Sequence, residues 1–160
     1  MGGMVQNLWL IPALPLLAGG IIALMKQRRR TLAATLAIGS MVLSFFLSCA
    51  AFLTTLGHGK LFREVFNITW FQIGPTVLKI GWVLDPLTAA MLVMVTFVGT
   101  LIFIYSVGYM PQDGNFNRFF CFLSLFAASM LGVVMANSLL LMFICWELMG
   151  LASYLLIGFW

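Results

Sequence analysis

The chain has 160 residues, of which 63% are apolar and 8% charged, and its formal net charge is +4. Soluble domains carry roughly 25% charged residues, and a soluble fold of this length cannot hide so much apolar surface, so the solvent is lipid. Four of the basic residues fall in one short run, Lys26 to Arg30, which reads as a membrane-topology signal and not as a nucleic-acid patch.

Leu8 to Met25 is free of charge and just long enough to span a bilayer. No Lys or Arg precedes it, and the basic run follows it. That is the reverse of a signal peptide, so a retained first transmembrane helix over 8–25 is expected. Pro12 and Pro15 lie in its first turns, where a missing N–H costs least. By the positive-inside rule the loop 26–31 is cytoplasmic and the N-terminus outside. A second span follows over 32–56, with small residues scattered among large ones.

The stretch 57–84 is polar and holds His58, Lys60, Arg63, Glu64 and Lys79. Its pieces VFNITWFQIG and VLKIGWVL are β-prone and meet at Gly74-Pro75, which predicts an extracytoplasmic hairpin or extended loop. His58 is alone there and reads as solvated. Asn67-Ile68-Thr69 fits a glycosylation acceptor, a pattern frequent by chance.

Asp85-Pro86 predicts an N-cap and first helical residue for a third span over 86–110, with Tyr105 and Tyr109 at its inner end. Asp85 is also a weak candidate for the mouth of an ion pathway. PQDGNFN forms a short inner turn, after which Arg118 is placed to snorkel to the headgroups. Asn137-Ser138 divides the remaining apolar sequence into spans over 119–135 and 138–159, with Ser138 as N-cap. The expected fold is all-α integral membrane, a single domain of about five transmembrane helices. Cys49, Cys121 and Cys145 lie in apolar stretches without a CxxC pair, so no metal or iron–sulfur site is expected.

Glu147 is the one charge in the fifth span. A carboxylate there costs a few kcal/mol, about the +2.5–3.5 of insertion scales, and is a functional-site candidate by default. At 100° per residue Tyr154 and Gly158 return to the face of Glu147, with Gly150 one turn along. Small and polar residues in one stripe predict a protein-facing surface. The carboxyl either is structural, kept protonated or hydrogen-bonded between helices, or it takes up and releases a proton or pairs with a buried lysine. Glu147 and, more weakly, Tyr154 are the candidate proton-pathway residues.

The run from Leu84 to Trp160 resembles the N-terminal part of the large antiporter-like membrane subunit (chain 5, or subunit L) of respiratory complex I, NADH-quinone oxidoreductase. The resemblance lies in LDPLTAAMLVMVTFVGTLIFIYSVGYM and in NRFFCFLSLFAASMLGVVMANSLLLMFICWELMGLASYLLIGFW, with WELMGLASYLLIGFW the most specific stretch. The preceding residues match more loosely, through an IPxLP-type first helix, a basic inner loop and a polar outer loop. The same pattern occurs in the large subunit of multisubunit sodium/proton antiporters.

The resemblance implies that Glu147 pairs with a lysine on a later, broken helix in a proton half-channel that responds to quinone reduction. It also implies a multi-pass protein of the bacterial plasma membrane, with lipid and the other membrane and peripheral complex I subunits as partners. NAD, FMN, iron–sulfur clusters and quinone would then belong to those partners, and none to this chain. Members of the family are several times longer, and no lysine follows Lys79 here. The expectation is therefore a fragment or interrupted gene product that does not translocate protons alone. Two further readings stand beside this one, an antiporter subunit and a non-transporting structural or assembly membrane protein.

Overall fold

A computed structural model of the chain describes residues 3–58, 62–110 and 113–160. Its elements are α1 (Gly3–Gln6), α2 (Leu10–Leu24), α3 (Arg30–His58), β1 (Glu64–Ile73), β2 (Thr76–Leu84), α4 (Pro86–Tyr109), α5 (Phe116–Met135) and α6 (Leu139–Ile157). α3, α4, α5 and α6 are each long and apolar enough to cross a membrane. α2 is also apolar but shorter, and at about 1.5 Å per residue it extends only about 22 Å. Two boundaries differ usefully from the sequence expectation. α3 begins at Arg30, so the basic run ends inside a helix, and α5 begins at Phe116, which puts Arg118 in its first turn. Lys60, the His58 side chain and the first two residues of PQDGNFN lie outside the described residues.

Local chemistry explains where the helices start. Asp85 Oδ1 accepts from the Thr88 N–H at 2.7 Å, with Pro86 at the first helical position. Ser138 Oγ accepts from the Leu141 N–H at 3.2 Å and caps α6 in the same way. Pro15 lies inside α2 and cannot donate to the Ile11 carbonyl. Ser44 Oγ, fully buried on α3, donates to that carbonyl instead, at 2.9 Å. A neighbouring hydroxyl thus satisfies the group that proline orphans, as a helix in lipid requires. Ser44→Ala is expected to lower stability by about 1–3 kcal/mol, the cost of a buried unpaired carbonyl. Ser44→Thr, which keeps the hydroxyl, should lose less in the same thermal unfolding series in detergent.

The hairpin is antiparallel, running in register from Glu64 opposite Leu84 to Ile73 opposite Thr76, with an irregularity between Thr69 and Phe71. Gly74 takes φ 58° at the first of two loop positions, where glycine carries no steric penalty, and Pro75 supplies the second. Trp82 stacks on Phe66 with ring centroids 5.3 Å apart, and its Nε1 donates to the Val5 carbonyl.

α2 packs between α3 and α5, α4 packs on α3 and α5, and α6 packs chiefly on α5. One core cluster, with Met41, Phe103 and Phe120, fills the basic end of the bundle. A second, with Ile11, Leu84, Leu92 and Leu131, fills the hairpin end. The α5–α6 corner is bonded to the hairpin. The Asn137 N–H donates to the Gly81 carbonyl at 2.9 Å, Asn137 Nδ2 donates to Asn67 Oδ1 at 2.9 Å, and Trp82 bridges Ala136. The hairpin therefore fixes the point at which α6 starts.

Candidate functional site around Glu147

The orientation of α6 follows from one close contact. Cys145 Sγ fills the space a side chain at Gly132 of α5 would occupy, so Cys145 faces α5. Two residues on, at about 200°, Glu147 faces the opposite way. Ala152 is the one fully buried residue of the helix, and the half-buried Leu141, Ile144, Met149 and Leu156 extend its packed face. Trp146, Glu147, Gly150, Leu151, Tyr154, Ile157 and Gly158 are exposed, Tyr154 by 73%. The stripe predicted from sequence is real, but these helices do not cover it. It is a polar and small-residue seam on an otherwise apolar outer surface, with its carboxylate near the middle of the helix.

A groove of 870 Å³ runs between β2 and the first two turns of α6. Its walls include Val77, Leu78 and Lys79 on one side and Ser138, Phe143, Trp146 and Glu147 on the other. The sequence places Lys79 in an outer loop, remote from the spans. The fold brings it into the same groove as Glu147, although no ion pair joins them among the described residues. What carries Lys79 there is the attachment of Asn137 to Gly81, a non-local contact with no local sequence signal. Tyr154 lies two turns beyond Glu147, toward the basic end of the bundle. Asp85 sits at the hairpin end, where its carboxylate is engaged as the α4 cap, and it lines neither this groove nor the exposed stripe.

The far end of α6 is held separately. Trp160 Nε1 donates to Asp113 Oδ2 at 3.0 Å, and the Asn115 N–H donates to Asp113 Oδ1 at 2.7 Å. Those two donors hold the Asp113 carboxyl below its ordinary value of 3.8 against an opposing effect of burial, with the Arg30 charge a lesser aid. A depressed carboxyl contributes its stability in full above the ordinary value and loses it as pH falls through the lowered one. The clasp is therefore expected to hold unchanged from pH 8 to pH 5 and to open only in acid below about 4. The tryptophan emission difference between the native chain and Trp160→Phe, followed against pH, reports it. An opening between pH 5 and 7 would contradict this assignment.

Among the described residues no group of three or more His, Cys, Asp or Glu side chains is placed to hold a metal ion. The three cysteines are free and half-buried within their helices.

The family described as NADH-ubiquinone oxidoreductase (complex I), chain 5 N-terminus, matches residues 70–120. NAD(P)H-quinone oxidoreductase subunit 5, chloroplastic, of Zygnema circumcarinatum is 40% identical over 97% of this chain and 23% of its own length. The protein of the same name from Nephroselmis olivacea is 44% identical over 97% of the chain and 25% of its own length. The chain thus spans about a quarter of the curated relatives it matches. Among solved structures, a chain of the Mrp complex from Dietzia sp. superposes with a TM-score of 0.72 at 24% identity, over 94% of this chain and 16% of that one. A chain of the membrane-bound sulfane sulfur reductase, an archaeal respiratory membrane complex, gives 0.64 at 19% identity, over 93% and 22%. These two likenesses establish a shared membrane fold.

Proposed function

We propose that this chain, which resembles the N-terminal part of subunit 5 of NAD(P)H-quinone oxidoreductase, serves as the N-terminal helical segment of a proton-translocating subunit in such a complex. The observation that carries the reading is the placement of Glu147. It is the sole acid within the spans, and it sits mid-helix on a face the chain itself leaves uncovered. A carboxylate in that position needs protein around it, and the face of α6 that carries it is open to further helices of the assembly. There Glu147 exchanges a proton and pairs with a lysine from those helices. Tyr154 extends the polar seam along the same face. Asp85 caps α4 at the hairpin end, and its place at an outer mouth of the path rests on that position alone.

In this reading electrons pass from NADH to quinone through NAD, FMN, iron–sulfur and quinone sites in the partner subunits, and this chain contributes only to the proton route. Its basic end faces the cytoplasm and its hairpin the outside, in a bacterial plasma membrane. The groove beside Glu147 is mainly apolar, with Lys79 and Ser138 as its other polar side chains, and a carboxylate in such surroundings is costly, which supports proton handling over a scaffold role.

Affinity isolation of the tagged chain from its native membranes tests the assignment. Co-isolated subunits carrying flavin and iron–sulfur clusters, with NAD(P)H-quinone activity, are expected. The second reading, a sodium/proton antiporter subunit, is favoured by the Mrp likeness and predicts cation-exchange subunits without redox centres.

A further inference from the structure

The basic end of the bundle carries a charge pattern that the proton route does not use. Lys26, Arg28 and Arg29 are exposed in the α2–α3 turn. Arg118 is far from them in sequence but is brought to the same end by its neighbour Asn117. The Asn117 N–H donates to Gln27 Oε1 at 3.3 Å, and its Nδ2 donates to the Lys26 carbonyl at 3.1 Å. Asn117 is 2% exposed, so this junction is a packed part of the fold. Arg118 is itself exposed and lies over the ring of Phe122, 5.9 Å from its centroid, one turn deeper along α5. Asp113 is the one acid at this end, and its carboxylate is taken by the Asn115 and Trp160 donors and faces Arg30. Four exposed cations therefore stand against one engaged carboxylate. The apolar surface continues directly into them: Leu17, Ile21 and Leu24 are exposed on one side of α2, Leu24 by 90%.

We infer that this surface binds an anionic phospholipid, with the headgroup phosphate held by Lys26, Arg28, Arg29 and Arg118 and the acyl chains along the exposed leucine and isoleucine side chains of α2. A topology signal requires only the basic run, whereas Arg118 adds a cation to the same end of the bundle from another helix. Arg28, Arg29 and Lys26 meet the phosphate from the aqueous side. Arg118 meets it from the hydrocarbon boundary, where a guanidinium keeps its charge at the headgroup level. Basic residues near an anionic leaflet contribute about 1 kcal/mol each. Each cation is therefore expected to change lipid retention by roughly fivefold.

The test uses the full chain in mixed micelles holding equal phosphatidylglycerol and phosphatidylcholine, with retained lipid counted by mass spectrometry after gel filtration. Phosphatidylglycerol should be retained preferentially. Arg118→Gln should lower that preference roughly fivefold, Arg118→Lys should restore most of it, and Arg28→Gln with Arg29→Gln should lower it further. Circular dichroism shows whether each variant keeps its helices. If Arg118→Gln loses them, the paired Arg28/Arg29 variant carries the test alone. Equal retention of the two lipids overturns the proposal, as does a preference that survives both variants. Displacement of phosphatidylglycerol by millimolar inorganic phosphate would assign the cations to a free anion and overturn the lipid site. This inference is independent of the proton route, and Glu147→Gln should leave the lipid preference intact.

Discussion

Glu147→Gln, introduced into the proposed oxidoreductase assembly, is expected to reduce proton translocation by roughly a hundredfold, the lower end for loss of a positioned proton-transfer group. The substitution keeps the shape of the side chain and removes only its ability to ionise. Folding should change little, because Glu147 lies on the exposed face of α6 and the Cys145–Gly132 contact orients the helix from its other side. Within the chain alone an exposed change of this kind stays within about 0.5 kcal/mol, and in the assembly the amide oxygen still accepts a hydrogen bond from the facing lysine. Loss of pumping together with normal assembly is therefore the signature. It is measured as pH-sensitive dye quenching in inverted vesicles while NAD(P)H oxidation is followed in the same sample. Glu147→Asp, which retains a carboxyl on a shorter stem, should restore part of the signal. Unchanged pumping in Glu147→Gln would reduce the residue to a structural polar group and favour the scaffold reading.

The second large effect is expected at Gly81. A side chain there would run into the Asn67 side chain and the Phe66 carbonyl across the hairpin. The Gly81 carbonyl also receives the Asn137 N–H, the bond that fixes the start of α6. Gly81→Val must therefore open the strand pair or release the α5–α6 corner, at a cost of about 1–3 kcal/mol or more for overpacking against backbone. Because α6 is held at one end by this corner and at the other by the Asp113–Trp160 clasp, loss of the corner should also shift Glu147 and lower pumping. Gly74→Ala gives the comparison. Nothing crowds Gly74, and its cost is the left-handed backbone alone, of order 1 kcal/mol. Thermal unfolding in detergent should rank Gly81→Val well below Gly74→Ala, and the reverse order would show that the hairpin does not position α6.

Much of this arrangement can be read from residues in sequence. Charge spacing marks the spans, Asp85-Pro86 and Ser138 mark helix starts through their own side chains, and Gly74-Pro75 marks the hairpin turn. Each signal is local, and the structure has each where the local chemistry puts it. The contacts that place the site are not local. Ser44 rescuing the Ile11 carbonyl, Asn137 holding Gly81 and Asn117 joining Lys26 each tie residues more than 30 positions apart. Nothing near them in sequence announces the partner. The same limit affects Glu147. Periodicity correctly groups it with Gly150, Tyr154 and Gly158, but it cannot say which face of α6 meets α5. The small residue at Gly132 decides that, by admitting Cys145 and turning the carboxylate outward. Lys79 is the clearest case, since a charged hairpin residue becomes a wall of the groove beside Glu147 only through the tertiary attachment of β2.

If Glu147 belongs to the proton route, it changes protonation as the complex turns over. Difference infrared spectroscopy of the assembled complex, comparing native protein with Glu147→Gln during quinone reduction, reads that carboxyl directly. A protonated-carboxyl band that appears or disappears on reduction, and is missing from the variant, is the predicted result. A difference spectrum identical in the two proteins would remove Glu147 from the proton route.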